Sequence, residues 1–411
     1  MTTKPPNILF ILADQLTPLV LPAYGNKIVK TPNINRLLSM KQYIQFNNSY
    51  CNSPLCGPSR SSLLTGKLPS VIGAYDNASY LPSNIPTFAH YLNNMGYDTI
   101  TAGKNHFVGA DQLHGFKERL TTDIYPSDFG WTANWDSSFQ KQRYDHWYHN
   151  MSSVEHAGYA AITNQFEFDD ELVHFSKQKL YELSRKSNGN PWGFFIGFTH
   201  PHDPYVTKKK YWDLYQDSDI DLPKNPDIDR NDPHSMRLAH NIDLNGIEIT
   251  KQDVINARRG YYGNISYVDD KIGEIIDLLI ECDAFDNTVI IISSDHGDML
   301  GENGLWYKMT FREYAMRVPL IIHLPQKKNM AMKVEKNVSL VDILPTMIDI
   351  ASINNDTQNG YIDDELNGKS LLRYLRDDDA DLISDRNIIF GEYFGEGAVS
   401  PMIMIKHNEY K

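Results

Sequence analysis

Cysteine is scarce in this chain, with three in 411 residues. Three thiols cannot staple a chain of this length, so a disulfide scaffold is excluded and a reducing compartment fits. Positive charge is also short. Thirty-nine Lys and Arg stand against 52 Asp and Glu, a formal net charge of −13. No basic run offsets that excess, so a polyanion would be repelled and nucleic acid is not an expected partner. A cationic substrate would suit the balance. Long apolar runs are missing as well. The longest near the start, Ile8 to Ala13, is ended by Asp14. A membrane span needs about 20 apolar residues, and a secretory leader needs a longer apolar region with a small-residue cleavage site. The expectation is no membrane segment and a cytoplasmic location. Internal repeats and low-complexity tracts are absent from the sequence.

What is present is enough to build a large core. Hydrophobic residues make up 41% of the chain and aromatics 11%, which excludes a disordered or collagen-like chain. The length suits one large domain with an appendage, or two domains.

Short apolar runs bounded by polar or turn residues mark strands buried on both faces. Residues 7–13 (NILFILA), 97–102, 192–199 (WGFFIGFT) and 288–294 (TVIIISS) read this way, and 317–324 as a further strand. Helices are predicted from Pro32 to about Met40, Ser59 to Leu64, Ile85 to Met95 and Asp169 to Ser184. Another carries Ile265, Val268, Ile272, Ile275 and Leu279 at helical spacing, and a last runs from Val338 to Ile350. Residues 105–165 are loop-rich and aromatic, and 206–250 read as a polar surface excursion. Strands follow at 387–393 and 402–405. This alternation predicts an α/β fold: a large mixed, mostly parallel sheet sandwiched by helices. Residues 386–411 begin a smaller antiparallel subdomain after a catalytic domain over 1–385.

In open α/β sheets, ligands sit beyond the carboxyl ends of the strands. Asp14-Gln15 follows the first strand, Gly103-Lys104-Asn105-His106 the second, His200-Pro201-His202-Asp203 the third and Asp295-His296-Gly297-Asp298 the fourth. Any one of these alone reads as a helix cap or a satisfied histidine. Four together point to one rim of acid–base and metal-binding groups. Asp14, Gln15, Asp295 and His296 suit a divalent cation. Its identity stays open at this point, because carboxylates and amide favour Ca²⁺ or Mg²⁺, and imidazole favours Mn²⁺ or Zn²⁺. Cys56 precedes a helix with Pro58 at its first position, so its sulfur would lie beside backbone N–H groups that favour an anion. Arg60 is close enough to hold an oxyanion. Cys51 reads as a small packed side chain, and Cys282 receives no role.

Cys56-Gly57-Pro58-Ser59-Arg60 matches the C-x-P-S-R signature of the formylglycine-dependent sulfatases, within the alkaline phosphatase superfamily. The chain resembles that family from about residue 7 to 411. It is most similar to the choline sulfatase branch, through 13–26, 113–131, 147–154, 199–205 and 301–310, in the same order. The resemblance implies that a maturation enzyme converts Cys56 to formylglycine, whose hydrate attacks sulfur. It implies metal ligation by Asp14, Gln15, Cys56, Asp295 and His296, with Ca²⁺ first and Mn²⁺ or Mg²⁺ as alternatives. Arg60, Lys104 and Lys308 would neutralise sulfate oxygens. His106 would be the base on the formylglycine hydroxyl. His202 would protonate the leaving oxygen, with His200 as a substitute. Choline-O-sulfate is the implied substrate, its quaternary ammonium held by Asn77, Trp131, His149 and Asn150. Two alternatives stand beside this: a phosphonate monoester or phosphodiester hydrolase of the same superfamily, or a catalytically silent anion-binding homologue. Family members form homo-oligomers and usually continue beyond the length seen here. The expectation is a chain shortened at its C-terminus, with an exposed strand edge near 402–411.

Overall fold

The computed structural model describes residues 4–125, 149–185, 189–244, 246–354, 365–375, 387–395, 397–398 and 400–411. In chain order the strands are β1 (Asn7–Asp14), β2 (Gln42–Tyr50), β3 (Asp98–Gly103), β4 (Glu118–Arg119) and β5 (Gly158–Ala160). They continue with β6 (Trp192–Pro201), β7 (Val206–Lys208), β8 (Thr288–Ser294), β9 (Arg317–Val318), β10 (Leu320–His323) and β11 (Met330–Ser339). The last two are β12 (Ile388–Tyr393) and β13 (Met402–His407).

Nine strands form one sheet in the order β11-β2-β10-β8-β1-β6-β3-β4, with β9 paired to β2. Strands β8, β1, β6, β3 and β4 run parallel, and β10 is antiparallel to both of its neighbours. Alternate side chains of β1 enter different cores. Leu9, Ile11 and Ala13 pack against the helices Asn164–Arg185 and Lys251–Glu281. Ile8, Phe10 and Leu12 pack on the other face, with Leu63 and Leu64 of helix Cys56–Thr65 and with helices Phe88–Asn94 and Ile343–Ala351. Period-two alternation thus feeds two layers of helices, and burying one large aliphatic side chain there contributes roughly 1.5–3 kcal/mol. The expected sandwich is present, and so is a small antiparallel sheet, β12 with β13. The outer face of this hairpin is apolar, with Ile403 64% and Ile405 55% exposed.

The structure departs from the sequence reading at several elements. Helix Cys56–Thr65 starts at Cys56 itself, and Pro58 sits third; its missing N–H falls among the first four, which have no partner inside the helix. The strand expected over 317–324 is split into β9 and β10 at Pro319, which has no N–H for a ladder. Val338 belongs to edge strand β11, and the helix expected from it begins at Ile343. Residues 206–250 are less superficial than expected. Tyr211, Tyr215 and Leu238 are buried in the core that helix Lys251–Glu281 helps to form. That helix opens on a capping box in which Thr250 and Asp253 bond each other's backbone N–H.

Candidate active site

Parallel strands β8, β1, β6 and β3 end on one rim, and the four predicted motifs lie there. β1 ends at Asp14, and Gln15 follows with φ 65. A non-glycine residue in that region stores strain that its surroundings must hold. Here Gln15 N–H donates to Asp295 Oδ1 at 3.0 Å, and Gln15 C=O accepts from the Tyr261 hydroxyl at 2.6 Å. The long helix therefore reaches across to fix the turn after β1.

Cys56 lies at the start of its helix, buried against this turn. Its Sγ is 3.2 Å from His296 Nε2, 3.2 Å from Lys308 Nζ, 3.8 Å from Lys104 Nζ and 3.9 Å from Asp14 Oδ1. Burial and Asp14 oppose ionisation of the thiol, but Lys104 and Lys308 draw it below its ordinary value. Gly57 N–H donates to Asn77 Oδ1 at 2.8 Å, so Asn77 sits behind the helix start.

The carboxylates divide their oxygens. Asp14 Oδ2 is paired with Lys104 and, at 3.3 Å, with Arg60. Asp295 Oδ2 takes Arg60 Nε at 2.8 Å. Their Oδ1 atoms lie 3.6 and 3.7 Å from His296 Nε2. His296 Nδ1–H donates to Gly297 C=O at 3.0 Å, which leaves Nε2 with its lone pair. Burial, with Lys308 adding to it and Asp295 opposing it, brings His296 down to about 4, so the imidazole is neutral. Asp14 is held well below the carboxylate range; burial works against this, but Lys104, His202 and Arg60 prevail. Asp14, Cys56, Asp295 and His296 place one ligand atom each within 4.8 Å of the others. Two ionised carboxylates and a neutral imidazole with an inward lone pair make a donor set that fits a divalent cation. Arg60, expected at the sulfate, spends three donors on Asp14, Asp295 and the Lys104 carbonyl.

Lys308 links the two halves of the site. Its Nζ donates to Gln15 Oε1 and to His202 Nε2, both at 3.0 Å. His202 Nδ1–H donates to Asp203 C=O at 2.7 Å, which fixes the tautomer. Burial and Lys308 lower the pKa of His202. His106 is also held low, at about 4, by burial and by Lys104, and its Nε2–H donates to Asn77 C=O at 2.8 Å. His200 is elsewhere: it pairs with Asp169 at 2.7 Å and stacks on Phe166.

The groups expected at an ammonium pocket are placed in part. His149 stacks between His202 and Tyr307, with ring centroids 5.3 and 4.7 Å away, and its Nδ1 lies 3.3 Å from Asp203. Asn150 caps Ser152 through Oδ1 and accepts from Tyr307 through its carbonyl at 2.5 Å. Trp131 lies outside the described residues. Sequence reasoning missed Tyr125, whose ring lies 5.1 Å from Lys104 Nζ and 6.3 Å from His202. Asp203 and Asp298, named within two strand-end motifs but given no individual role, bind the Gln15 amide nitrogen at 3.2 and 2.7 Å. Burial pushes Asp298 up to about 7. The available signal was position: each stands three residues from a singled-out residue in the same strand-end motif.

Residues 6–353 match the sequence profile of the family described as Sulfatase. The chain belongs to the sulfatase family. Residues 301–411 also match the profile "N-sulphoglucosamine sulphohydrolase, C-terminal". Among relatives, the sulfatase here is 43% identical to a choline-sulfatase of Rhizobium meliloti (strain 1021), over 100% of this chain and 78% of that one. An arylsulfatase of Clostridium perfringens is 29% identical, over 94% of this chain and 80% of its own. A crystal structure of a phosphonate monoester hydrolase of Agrobacterium radiobacter aligns with TM-score 0.69 at 22% identity, over 94% of this chain and 80% of that one. That likeness is one of fold. Membership of the sulfatase family, a group of sulfuric ester hydrolases, implies a divalent cation and formylglycine at the signature cysteine. The Asp14, Asp295 and His296 cluster around Cys56 is suited to both. No described helix is long and apolar enough to cross a membrane.

Proposed function

We propose that this sulfatase hydrolyses choline-O-sulfate to choline and sulfate. The observation that carries this is the buried cluster at Cys56, where two ammonium groups and a neutral imidazole lie within 3.8 Å of the sulfur. The 43% identity to a choline-sulfatase along the whole chain directs the reading to that substrate.

Lys104 and Lys308 receive the sulfate oxygens; buried ammonium groups already in place cost little reorganisation as charge develops. Arg60 holds Asp14 and Asp295 in place. Asp14, Gln15, Asp295 and His296, with the modified Cys56, would hold the divalent cation, Ca²⁺ in the first instance and Mn²⁺ or Mg²⁺ otherwise. When bound, it would supply Lewis-acid polarisation beside position 56. A formylglycine hydrate offers a second hydroxyl, and so an elimination route by which sulfate leaves. His106 is held neutral and can take the proton of that hydroxyl. With Nδ1–H held by Asp203 C=O, His202 takes a proton at Nε2 from Lys308 and passes it to the departing choline oxygen, a step an alkoxide leaving group requires. The ammonium is assigned to Trp131, Asn77, His149 and Asn150, with Tyr125 added for its place near Lys104 and His202; a quaternary ammonium donates no hydrogen bond and is recognised by aromatic faces and oxygen dipoles. Residues 1–385 form the catalytic unit in this reading, and 386–411 a smaller second one. The partner required is a formylglycine-generating enzyme.

The test is mass spectrometry of the tryptic peptide spanning 42–60, from protein co-produced with that enzyme. The aldehyde at position 56 is expected. An unmodified thiol throughout would contradict the enzyme reading.

A further inference from the structure

Gln15 is an amide where a ligand must present oxygen, and an amide has two similar ends. An oxygen must face a cation, yet nothing in the shape of the side chain selects which end turns inward. The structure shows what does. Gln15 Oε1 accepts from Lys308 Nζ at 3.0 Å, on the side of Cys56. Gln15 Nε2 donates to Asp298 Oδ2 at 2.7 Å and to Asp203 Oδ1 at 3.2 Å. The reverse orientation would set the amide oxygen against two carboxylates and its N–H groups against an ammonium.

Asp298 is itself fully committed. Its Oδ2 also accepts from the Tyr205 hydroxyl at 2.8 Å, and its Oδ1 accepts from Leu300 N–H at 2.8 Å. The turn that carries it cannot shift outward. A Cβ at Gly297 would lie 2.0 Å from Tyr314 C=O, so the backbone is seated directly on its neighbour. Asp298 therefore presents an acceptor, from a fixed position, to the end of Gln15 that faces away from Cys56.

We infer that Asp298 is a positioning residue that orients the Gln15 amide, so that Oε1 is presented to the divalent cation. The inference rests on the reading of Gln15 as a ligand. It also explains why this chain can carry Gln at position 15: a carboxylate there would meet Asp298 and Asp203 head-on. Gln15 and Asp298 thus form the shorter of the two donor–acceptor contacts at Nε2, with Asp203 the longer, and it is this shorter contact whose members can be exchanged together.

Calorimetric titration of the purified full chain with Ca²⁺, and separately Mn²⁺, tests this, alongside thermal unfolding in chelator. Asp298→Asn leaves an N–H facing either Gln15 Nε2 or Leu300 N–H, and roughly tenfold weaker cation binding is expected, as for other residues that orient a ligand. Gln15→Glu alone is expected to weaken binding similarly. The double variant Gln15→Glu with Asp298→Asn restores a donor–acceptor pair, so its affinity should return to within about threefold of the parent. A merely structural Asp298 would not give that reciprocal rescue. Tyr205→Phe, which keeps the carboxylate but removes its hydroxyl partner, should weaken binding by a smaller factor and serves if Asp298→Asn does not fold. Parent-like affinity in Asp298→Asn, or in Tyr205→Phe where that variant stands in, overturns the inference, as does a folded double variant no tighter than either single one. No cation binding by the parent overturns the ligand reading itself, and the inference with it.

Discussion

Lys308 touches Gln15, Cys56 and His202, three residues that the sequence separates by 293, 252 and 106 positions. In the proposed function, one ammonium would therefore serve the sulfate, an amide ligand and the proton donor together. His202 earns its place only when the leaving oxygen needs a proton. His202→Ala should lower kcat on choline-O-sulfate roughly a hundredfold or more, within the range for loss of a general acid. On an aryl sulfate with a good leaving group the loss should be under about tenfold. Parallel losses on both substrates would remove the assignment. Trp131→Ala is expected to raise KM for choline-O-sulfate and to leave an uncharged alkyl sulfate unaffected, since only the cation profits from an aromatic face. Equal effects on both would show that Trp131 does not serve the ammonium. At this scale the meeting of Asp14, Gln15, Cys56, Lys104, His202, Asp295, His296 and Lys308 on one rim was legible, because strand ends and a five-residue signature carry most of them. The roles of Asp203, Asp298 and Tyr125 were not, because they exist only through contacts with residues far away in sequence.

Strands β3 and β6 approach so closely that neither can carry a side chain at the crossing. A Cβ at Gly103 would lie 2.1 Å from Gly197 C=O, and Gly103 has φ 86. A Cβ at Gly197 would lie 2.2 Å from Lys104 C=O. This contact sets the height of Lys104 at the rim. Gly103→Ala adds a left-handed backbone cost of about 1–2 kcal/mol to a backbone clash. Urea denaturation should therefore show a loss exceeding about 2 kcal/mol, against Ala102→Gly as a neighbour without the clash. A loss below that would mean the strands can separate cheaply. The interior strands were legible as elements because they are buried on both faces and read as continuous apolar runs. β2 and β11 were missed for the opposite reason. Gln42–Tyr50 mixes Gln and Asn with its apolar residues, and Met330–Ser339 buries only Val334 and its last three residues. β11 at the sheet edge and β2 beside it, interior but rich in Gln and Asn, answer to the strands next to them more than to their own composition.

Over the whole molecule, several histidines are folded neutral. Burial holds His323 at about 4, and His106 and His149 at about the same value. The unfolded chain takes up these protons below about 6.5; the folded one does so only near 4. Stability is therefore complete above the unfolded value and is lost as pH falls toward 4, by about 1.4 kcal/mol per pH unit for each such histidine. His323 is remote from the Cys56 cluster and packs on Phe285, so His323→Phe should reduce the slope of unfolding free energy between pH 6.5 and 4.5 by about one proton. An unchanged slope would show that His323 is not titrating on unfolding. The layered fold was legible from alternation of strands and helices, whereas the burial of Tyr211 and Tyr215 was hidden within a polar stretch. Turnover is measured directly as sulfate release from choline-O-sulfate by matured protein supplied with a divalent cation. Release is expected, with kcat/KM at least about tenfold above that for the uncharged carbon isostere, the preference expected of a desolvated cation–aromatic contact. No release of sulfate, in protein shown to carry formylglycine at position 56, would contradict the proposed function.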